Sequence, residues 1–346
     1  MLNVKDYGIL GNGEKDYTID IQRLIDKNGG GNTIYFPAGK YIVSKTLVLN
    51  ANTTLIGDGS NTKIMCASNT DAFNDAMITN RFDNKDYTPN ITIRNLQIWG
   101  YKENNKLKYK IDGIRLISTY HAVIENVKVA WFGNDGISVY GSTRIDGTIV
   151  YHNTNYIKDC FVHENGECGI FGNNQGHDFH IIGGDIGANN SANIHLKCSS
   201  SSISNVRAIW GSKTSAGVII GNINTQVTNC NIDGNATHSI WVFDTDNAYI
   251  MGNKLYAASE KSGGSKYGYS SIYVSSKSNN TSIISNQIMG TLYEPNYLSY
   301  CIYNDGIGTQ ILSNSMKGNN GKKEDIYSSK EYILSISKEE KATQLS

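Results

Sequence analysis

Two Asp-Gly phrases of matching pattern stand 23 residues apart, and their residue types could carry acid–base chemistry. They read Ile111-Asp112-Gly113-Ile114 and Asn134-Asp135-Gly136-Ile137. If the phrases occupy neighbouring strands of one sheet, the Cα atoms of Asp112 and Asp135 would be about 5 Å apart. Two carboxylates that close together raise the pKa of one of them, which produces an acid and base pair. Aspartate before glycine is also a common turn residue that bonds local backbone, and this alternative stays open.

A second acidic cluster, His163-Glu164-Asn165-Gly166-Glu167, follows one repeat later. The alignment of the repeats predicts that this cluster lies beside Asp135. Glycosidic hydrolysis uses two carboxyl groups, one protonated and one ionised, so Glu164 or Glu167 could be the acidic partner. His163 is a candidate contact to a substrate.

Several further residues are candidates for substrate binding. Arg115, His195 and Trp241 fall in one outward-facing column of the predicted strands. Arg115 could hold a substrate carboxylate, although a solvated arginine is the alternative. Aromatic rings stack on sugar rings, and the remaining candidate rings are Trp131, Trp210 and Tyr269. These rings could instead pack against the coils or against another subunit.

Composition limits the classes of partner. The 346 residues carry 31 basic and 31 acidic side chains, and the absence of a basic run argues against nucleic acid. No apolar run approaches membrane length, and the opening Met1-Leu2-Asn3-Val4 shows no signal-peptide pattern. The six cysteines lack C-x-x-C spacing and are predicted to be buried free thiols. No metal site is predicted, and no cofactor is expected unless lyase chemistry recruits calcium.

The elements that must position these residues repeat from about Asn90 to Asn314. Phrases such as Ile93-Arg94-Asn95-Leu96, Ile124-Glu125-Asn126-Val127 and Ile284-Ser285-Asn286 recur about every 27 residues, a period typical of a solenoid, and their Asn residues are aligned at one turn. A second phrase, as in Gly136-Ile137-Ser138-Val139, recurs out of phase with the first. Both alternate apolar with variable residues and end at Gly, Asn, Ser or Asp. About three short strands in each repeat predict an all-β, single-stranded parallel β-helix with an Asn ladder at one turn.

The two ends differ from the repeat. Residues 1–60 are predicted to form an N-terminal cap and the first coils, with an amphipathic helix whose N-cap is Asp16 or Thr18. A helix laid over the first coil would cover its core. Residues 61–320 are assigned to the parallel β-helix. Residues 321–346 are charged and lose the repeat, which predicts a C-terminal cap or tail.

The N-terminal phrases resemble those of the pectate-lyase-type β-helix proteins, in the branch of phage tailspikes and polysaccharide depolymerases. The resemblance is carried by three phrases: Val4-Lys5-Asp6-Tyr7-Gly8, Tyr35-Phe36-Pro37-Ala38-Gly39 and Leu55-Ile56-Gly57-Asp58-Gly59. It implies a right-handed helix, polysaccharide substrates, an extracellular or virion-associated location and, in many members, homotrimers. The two aspartates also resemble polygalacturonase-type hydrolases, but Glu167-Cys168-Gly169-Ile170 replaces the Gly-His-Gly phrase of that group.

The resemblance and the acidic residues together predict a polysaccharide-cleaving enzyme, either a glycoside hydrolase or a polysaccharide lyase. It would act on a bacterial surface or extracellular glycan, with a phage tail depolymerase as one setting. A non-catalytic adhesin or receptor-binding β-helix that holds glycan without cutting it is the alternative. A metal-assisted lyase or an epimerase is a third hypothesis.

Overall fold

The computed structural model describes residues 1–27, 30–70, 72–83, 86–209, 214–256, 269–289, 298–317 and 325–335. Short strands in these ranges wind as successive coils, and the regular coils contribute strands to three parallel sheets. Sheet 1 has eleven strands: Leu47–Leu49, Ala76–Asn80, Asp112–Ile117, Ile137–Tyr140, Ile170–Gly172, Ile194–Leu196, Val218–Ile223, Ile240–Asp246, Tyr269–Val274, Leu298–Asn304 and Ile326–Ser328.

Sheets 2 and 3 are linked because two long strands, Thr92–Trp99 and Val123–Ala130, bend through both. The other strands of sheet 2 are Leu2–Asn3, Thr33–Phe36, Thr54–Gly57, Thr88–Pro89, Thr119–Tyr120, His152–Lys158, Gly176–Ile182, Ser202–Ser204, Gln226–Thr228, Tyr249–Met251, Ser282–Ile284, Thr309–Leu312 and Tyr332–Ser335. Those of sheet 3 are Asn12–Asp16, Gly39–Val43, Thr62–Cys66, Phe161–His163, Asp185–Gly187, Arg207–Ala208, Asn231–Asp233, Lys254–Tyr256, Gln287–Met289 and Ser315–Lys317.

Stacked aliphatic columns form one core along the axis. In sheet 1, Ile114, Ile137, Ile170 and Ile194 are paired in register, and all four are fully buried. Each such side chain contributes about 1.5–3 kcal/mol by leaving water. All six cysteines are free and buried, which confirms the prediction. This continuous core fixes the register and therefore decides which side chains meet on the outer faces.

A single left-handed residue makes the turn between sheets 2 and 3. Asn95 and Asn126 have φ values of 54° and 50°, and Asp159, Asn205 and Asn229 take the same conformation. The Asn126 side-chain amide donates to Asn95 Oδ1 at 3.0 Å, which is the expected amide ladder. Asn and Asp tolerate this conformation because their short polar side chains bond locally.

A second amide ladder lies inside the coils, at a place that the sequence pattern misassigned. Ser285, at φ 52°, occupies the turn position expected for Asn286. Asn286 is 1% exposed and accepts from Asn253 Nδ2 and donates to Asn314 Oδ1, each at 3.0 Å. The misassignment arose because Ile283-Ile284 offers two aliphatic residues for one inward position.

The N-terminal helix, α1, spans Thr18–Asp26 and covers the first strand of sheet 1. Ile21, Leu24 and Ile25 are its buried residues, together with Thr18. The N-cap is Tyr17, so the prediction of Asp16 or Thr18 is wrong. Asp16 Oδ1 nevertheless accepts from the backbone N–H of Thr18 at 2.9 Å and satisfies a free donor of the first turn. Among the described residues, no helix is long and apolar enough to cross a membrane.

Shorter elements decorate the coils. Two 3-10 turns span Val4–Tyr7 and Gly59–Asn61. Two antiparallel hairpins pair Lys102–Glu103 with Lys106–Leu107 and Ser142–Thr143 with Ile149–Val150. The regular coils also continue past residue 320, into the segment assigned to a cap or tail. There Ile326 pairs with Ile302 and Leu334 with Ile311, because apolar residues persist within the charged sequence.

Candidate active site

Asp112 and Asp135 meet on adjacent coils of sheet 1. Each lies two residues before one of the paired isoleucines Ile114 and Ile137. The backbone N–H of Asp135 donates to Asp112 Oδ1 at 3.2 Å. Asp112 is 1% exposed and Asp135 is 9% exposed. The structure therefore brings the two aspartates together, as the spacing predicted.

Hydrogen-bond donors occupy both oxygens of Asp112. Arg115 Nε donates to Oδ2 at 2.7 Å, and Ser138 Oγ donates to the same oxygen at 2.5 Å. Arg115 Nη1 also lies 3.1 Å from the exposed carboxylate of Asp75. A carboxylate held by a guanidinium does not suit a calcium ion, which needs several free oxygen ligands. Asp112 instead fixes Arg115 beside Asp135.

Asp135 is the group in this site that can exchange a proton near neutral pH. Burial and the negative charge of Asp112 raise the pKa of Asp135 to about 7, with Glu167 adding a smaller contribution in the same direction. The backbone N–H of Cys168 donates to Asp135 Oδ1 at 2.8 Å, which opposes the rise and orients the carboxyl group. A pKa near the working pH is what a general acid or base requires.

Tyr140 completes the site, although sequence reasoning did not select it. It ends the strand that carries Ser138, and its ring centroid lies 5.1 Å from the Arg115 guanidinium carbon. Burial, followed by the charges of Asp135 and Asp112, raises the pKa of Tyr140 to about 12. Its hydroxyl is therefore protonated at neutral pH and can donate a hydrogen bond. The strand register carried the only signal, since Tyr140 pairs with Ile117, two residues after Arg115.

A file of aromatic side chains leads away from the acid pair along the outer face of sheet 1. Arg115, Ser138, Phe171, His195, Ile219 and Trp241 are in register, as the outward column predicted. Tyr273, Tyr303 and Tyr327 continue it. Adjacent rings are close: 5.5 Å between Phe171 and His195, and 5.9 Å between Trp241 and Tyr273. Burial lowers the pKa of His195 to about 4, so this ring is neutral in the file.

Of the two glutamates in the second acidic cluster, only Glu167 lies at the acid pair. Its backbone N–H donates to Asn134 O at 3.0 Å, and its side chain is exposed. Glu164 belongs elsewhere, because the chain turns outward there through a left-handed residue with φ 56°. Its carboxylate pairs with Lys102 and accepts from Trp131 Nε1 at 3.3 Å, and the hydrogen bond from Lys102 lowers the pKa of Glu164. The expectation that Glu164 adjoins Asp135 is wrong.

Trp131 and His163 also lie away from the acid pair, in a depression on the outer face of sheet 3. We call it the sheet 3 groove; its lining includes Trp99, Lys128, Trp131, Phe161, Asp185 and Arg207. Trp210 lies outside the described residues, and only the backbone of Tyr269, which opens a sheet 1 strand, falls within them. The predicted binding residues therefore divide between two faces of the coil.

Three parallel sheets wound around one core define the class of parallel β-helix proteins. The chain belongs to the family described as rhamnogalacturonase A/epimerase, pectate lyase-like, whose model matches residues 1–237. A curated relative, mannuronan C5-epimerase AlgE1 from Azotobacter vinelandii, is 28% identical over 206 residues. That match covers 53% of this chain but only 14% of the relative.

Solved structures agree on the fold. The A-module of mannuronan C-5 epimerase AlgE4 from Azotobacter vinelandii has a TM-score of 0.68 at 20% identity, covering 97% of this chain and 100% of that one. The enzymatically active domain of tailspike protein 2 of bacteriophage CBA120 has a TM-score of 0.70 at 15% identity, covering 90% and 47%. At these identities, the likeness is one of architecture.

Proposed function

We propose that this chain is a polysaccharide-modifying enzyme that acts on an acidic polysaccharide by proton transfer at Asp135. The observation that carries the proposal is the carboxyl group of Asp135, whose pKa is about 7, held against the Asp112–Arg115 pair. A titratable carboxyl of this kind, on a face that continues into an aromatic file, is what proton transfer on a bound glycan needs.

Arg115 supports a uronate as the sugar. Its side chain is 20% exposed, and it is anchored by Asp112 on one side and Asp75 on the other. A fixed guanidinium can bind the substrate carboxylate and neutralise the charge that develops there when the neighbouring carbon loses its proton. The name of the relative AlgE1, a mannuronan epimerase, points to the same sugar class.

The reaction that fits best begins with ionised Asp135 removing the proton from C5 of the uronate. The electron pair passes into the substrate carboxylate beside Arg115. In a lyase, it then forms the C4–C5 double bond as the C4–O bond breaks, and the leaving oxygen takes a proton. In an epimerase, a proton returns to C5 from the opposite face. Tyr140 is the neighbouring O–H group that can supply a proton in either case.

Hydrolysis is the second candidate, and the exposed Glu167 beside Asp135 favours it. Protonated Asp135 would donate to the glycosidic oxygen, while a second carboxylate would take a proton from the attacking water. Asp112 is a poor second carboxylate because its two oxygens already accept three hydrogen bonds. Because Asp112 is engaged in this way, we prefer proton abstraction from a uronate over hydrolysis.

We place the protein outside the cell or on a virion, with a bacterial surface or extracellular glycan as its substrate. The tailspike neighbour supports a virion setting, and it leaves a homotrimer as the assembly to test by light scattering. A protein that only binds glycan is the opposing hypothesis. It predicts binding without any product.

The test is a panel of pectate, alginate, hyaluronan and teichoic acid, assayed for reducing ends, for absorbance near 235 nm and for epimerisation by NMR. We expect the wild type to act on one uronate polymer and Asp135→Asn to lose at least a hundredfold in rate. The matched control is Asp159→Asn, an exposed turn residue whose replacement is the amide found at the equivalent turns of Asn126 and Asn205.

The pH profile separates the two reactions. If Asp135 is the base, kcat/KM rises as pH increases through about 7; if it is the acid, kcat/KM falls over the same range. Calcium assistance remains a proposal for the lyase case, and loss of activity in a chelator with recovery on adding calcium would support it. Binding of a panel glycan with no product from any of them would favour the non-catalytic hypothesis.

A further inference from the structure

The sheet 3 groove is a built depression that crosses successive coils. Trp99, Ala130 and His163 are in register, so a methyl group sits between two large ring side chains. Gly187 follows His163 in the same column, and because it has no side chain the groove is deep there. At the rim, the Trp131 ring centroid lies 4.3 Å from that of Trp99. The groove forms because small residues, Ala130 and Gly187, alternate with the large rings of Trp99 and His163 in one column.

Rings and a cation form its floor. Phe161 is 39% exposed and stacks on His163 with centroids 3.8 Å apart and planes 10° from parallel. Lys128 Nζ lies 4.7 Å from the Trp99 ring centroid and 4.8 Å from that of Phe161. A flat, partly exposed aromatic surface beside an ammonium matches the apolar face and charged edge of an acidic sugar.

The charge of the groove favours an anion. Both of its carboxylates are already balanced: Glu164 pairs with Lys102, and Asp185 lies 3.5 Å from Arg207 and 3.1 Å from His163. Among the described residues, no carboxylate forms an ion pair with Lys128. Burial lowers the pKa of Lys128, and the attraction of Glu164 opposes that shift without cancelling it, so the ammonium is incompletely compensated.

The groove is separated from the acid pair by the corner between sheets 3 and 1. Along one coil, Trp131 directly follows the sheet 3 part of its strand, which ends at Ala130, and Asp135 lies two residues before the sheet 1 strand that begins at Ile137. Lys102 and Lys106, from the hairpin of the preceding coil, line a second depression that shares Glu164 and Ala188 with the groove. Cationic side chains therefore continue from sheet 3 toward the corner.

From this arrangement we infer that the sheet 3 groove binds a segment of uronate polysaccharide, as a second glycan site distinct from the acid pair on sheet 1. Sugar rings lie on Trp131 and Phe161, and uronate carboxylates pair with Lys128. The ligand class rests on the proposed function, but binding here requires no turnover at Asp135. The groove would hold a long polysaccharide chain near the acid pair on sheet 1 between successive catalytic turnovers.

The experiment measures polygalacturonate binding by calorimetry in an Asp135→Asn background, where turnover is expected to be at least a hundredfold slower. Lys128→Gln removes the central charge. Trp131→Ala removes the aromatic ring at the rim of the groove. Trp131 has a left-handed backbone with φ 72°, and the equivalent residue two coils further on is Ala188 with φ 54°, so alanine fits this position. The matched control is Lys254→Gln, because Lys254 is an exposed lysine of the same sheet 3 column, in register with Asn231.

We expect about tenfold weaker binding for Lys128→Gln and for Trp131→Ala, and a change below about twofold for Lys254→Gln. Dextran, which is neutral, should not bind the groove. The inference is overturned if Lys128→Gln, with an unchanged circular dichroism spectrum, binds polygalacturonate as tightly as Lys254→Gln. Because Lys128→Gln leaves the fold's core untouched, a folding failure of Trp131→Ala would not leave the question open.

The two proposals fail separately. Groove variants that bind normally, with turnover still abolished by Asp135→Asn, would remove the second site and leave the proposed function standing. Groove variants that lose binding in a protein without turnover on any uronate polymer would remove the enzymatic proposal and retain the binding site.

Discussion

At the scale of single residues, the acid pair is a case of burial making a carboxyl group titrate near neutrality. Asp112 and Asp135 are both buried, but they differ in their partners. Asp112 accepts from a guanidinium, a hydroxyl and a backbone N–H, whereas Asp135 accepts from one backbone N–H. Burial and the charge of Asp112 raise the pKa of Asp135, and its one backbone hydrogen bond only partly opposes that rise.

This raised pKa should be visible as a dependence of folding stability on pH. The pKa of Asp135 is about 7 when folded and near its ordinary value of 3.8 when unfolded, so the unfolded state releases its proton first as pH rises. The contribution of Asp135 therefore destabilises the fold as pH rises from about 4 to about 7, by up to about 4 kcal/mol. Asp135→Asn should remove that slope, measured by urea unfolding from pH 4 to pH 8.

The comparison for this prediction is again Asp159→Asn, whose free energy of unfolding should follow the wild-type curve at every pH. Parallel curves for Asp135→Asn and the wild type would show that the carboxyl group titrates normally in the folded protein. The raised pKa, and with it the proton-transfer role, would then be lost.

The residues also show what sequence could and could not predict of the site. Asp112, Asp135 and Arg115 were placed correctly because each has a fixed offset from a paired isoleucine. Glu164 was misplaced because the outward turn at its own left-handed backbone cannot be read from residue type. Tyr140 was missed because its role depends on the distance to the Arg115 guanidinium, which follows from packing across coils.

At the scale of elements, side-chain hydrogen bonds inside the coils stabilise the fold at positions where aliphatic packing does not. Asn286 Oδ1 accepts from the backbone N–H of Asn253 at 2.9 Å, and Asn286 Nδ2 donates to Ile250 O at 3.0 Å. Asn314 Oδ1 in turn accepts from Asn286 at 3.0 Å. The interior ladder therefore satisfies backbone groups of sheet 2 and of the turn between sheets 2 and 3 that have no access to water.

Asn286→Ala should lower the free energy of unfolding by about 3 kcal/mol, because it leaves buried donors and acceptors without partners. Urea unfolding monitored by circular dichroism measures this loss. Asn247→Gly is the control: Asn247 is exposed, has φ 56°, and donates to Asn224 Oδ1 in a ladder open to water. Its change should stay within about 0.5 kcal/mol. Equal losses for the two variants would contradict the importance of burial.

The element pattern was predictable as a repeat, but not always in phase. The alternation of apolar residues gave the three-sheet coil, and Asn95 and Asn126 were correctly placed at the turn. Ser285-Asn286 was read one position out of register because both residue types suit a turn. Only the stacking of Ile283 on Ile250 decides which of them faces inward.

At the scale of the whole molecule, a solenoid must protect the edge of its first coil. The helix α1 does so with side chains as well as with its apolar face. Gln22 Nε2 donates to Val48 O at 3.0 Å, and Gln22 Oε1 accepts from the backbone N–H of Val48 at 2.9 Å. The end strand of sheet 1 is thereby paired, and its core residues Leu47 and Leu49 are fully buried.

Ile25→Asp should detach this helix, because it places a charge at a fully buried position. We expect a loss of about 4 kcal/mol in the free energy of unfolding, together with association through the uncovered end. Thermal unfolding and size-exclusion chromatography with light scattering measure the two effects. Ile19→Asp on the same helix is the control, since Ile19 is 62% exposed. An unchanged melting temperature for Ile25→Asp would show that α1 does not protect the coil.

The buried thiols are distributed along the axis and can report local unfolding of individual coils. Cys66 lies near the N-terminal end of the axis, Cys160, Cys168, Cys198 and Cys230 along its middle, and Cys301 near the far end, all closed to solvent. Burial raises the pKa of Cys160 to about 12, and that of each of the other thiols also rises, so none is reactive while its coil is intact. A thiol reagent applied to the folded protein would therefore label each cysteine at the rate at which its own coil opens locally. The order of labelling would show which parts of the axis unfold first.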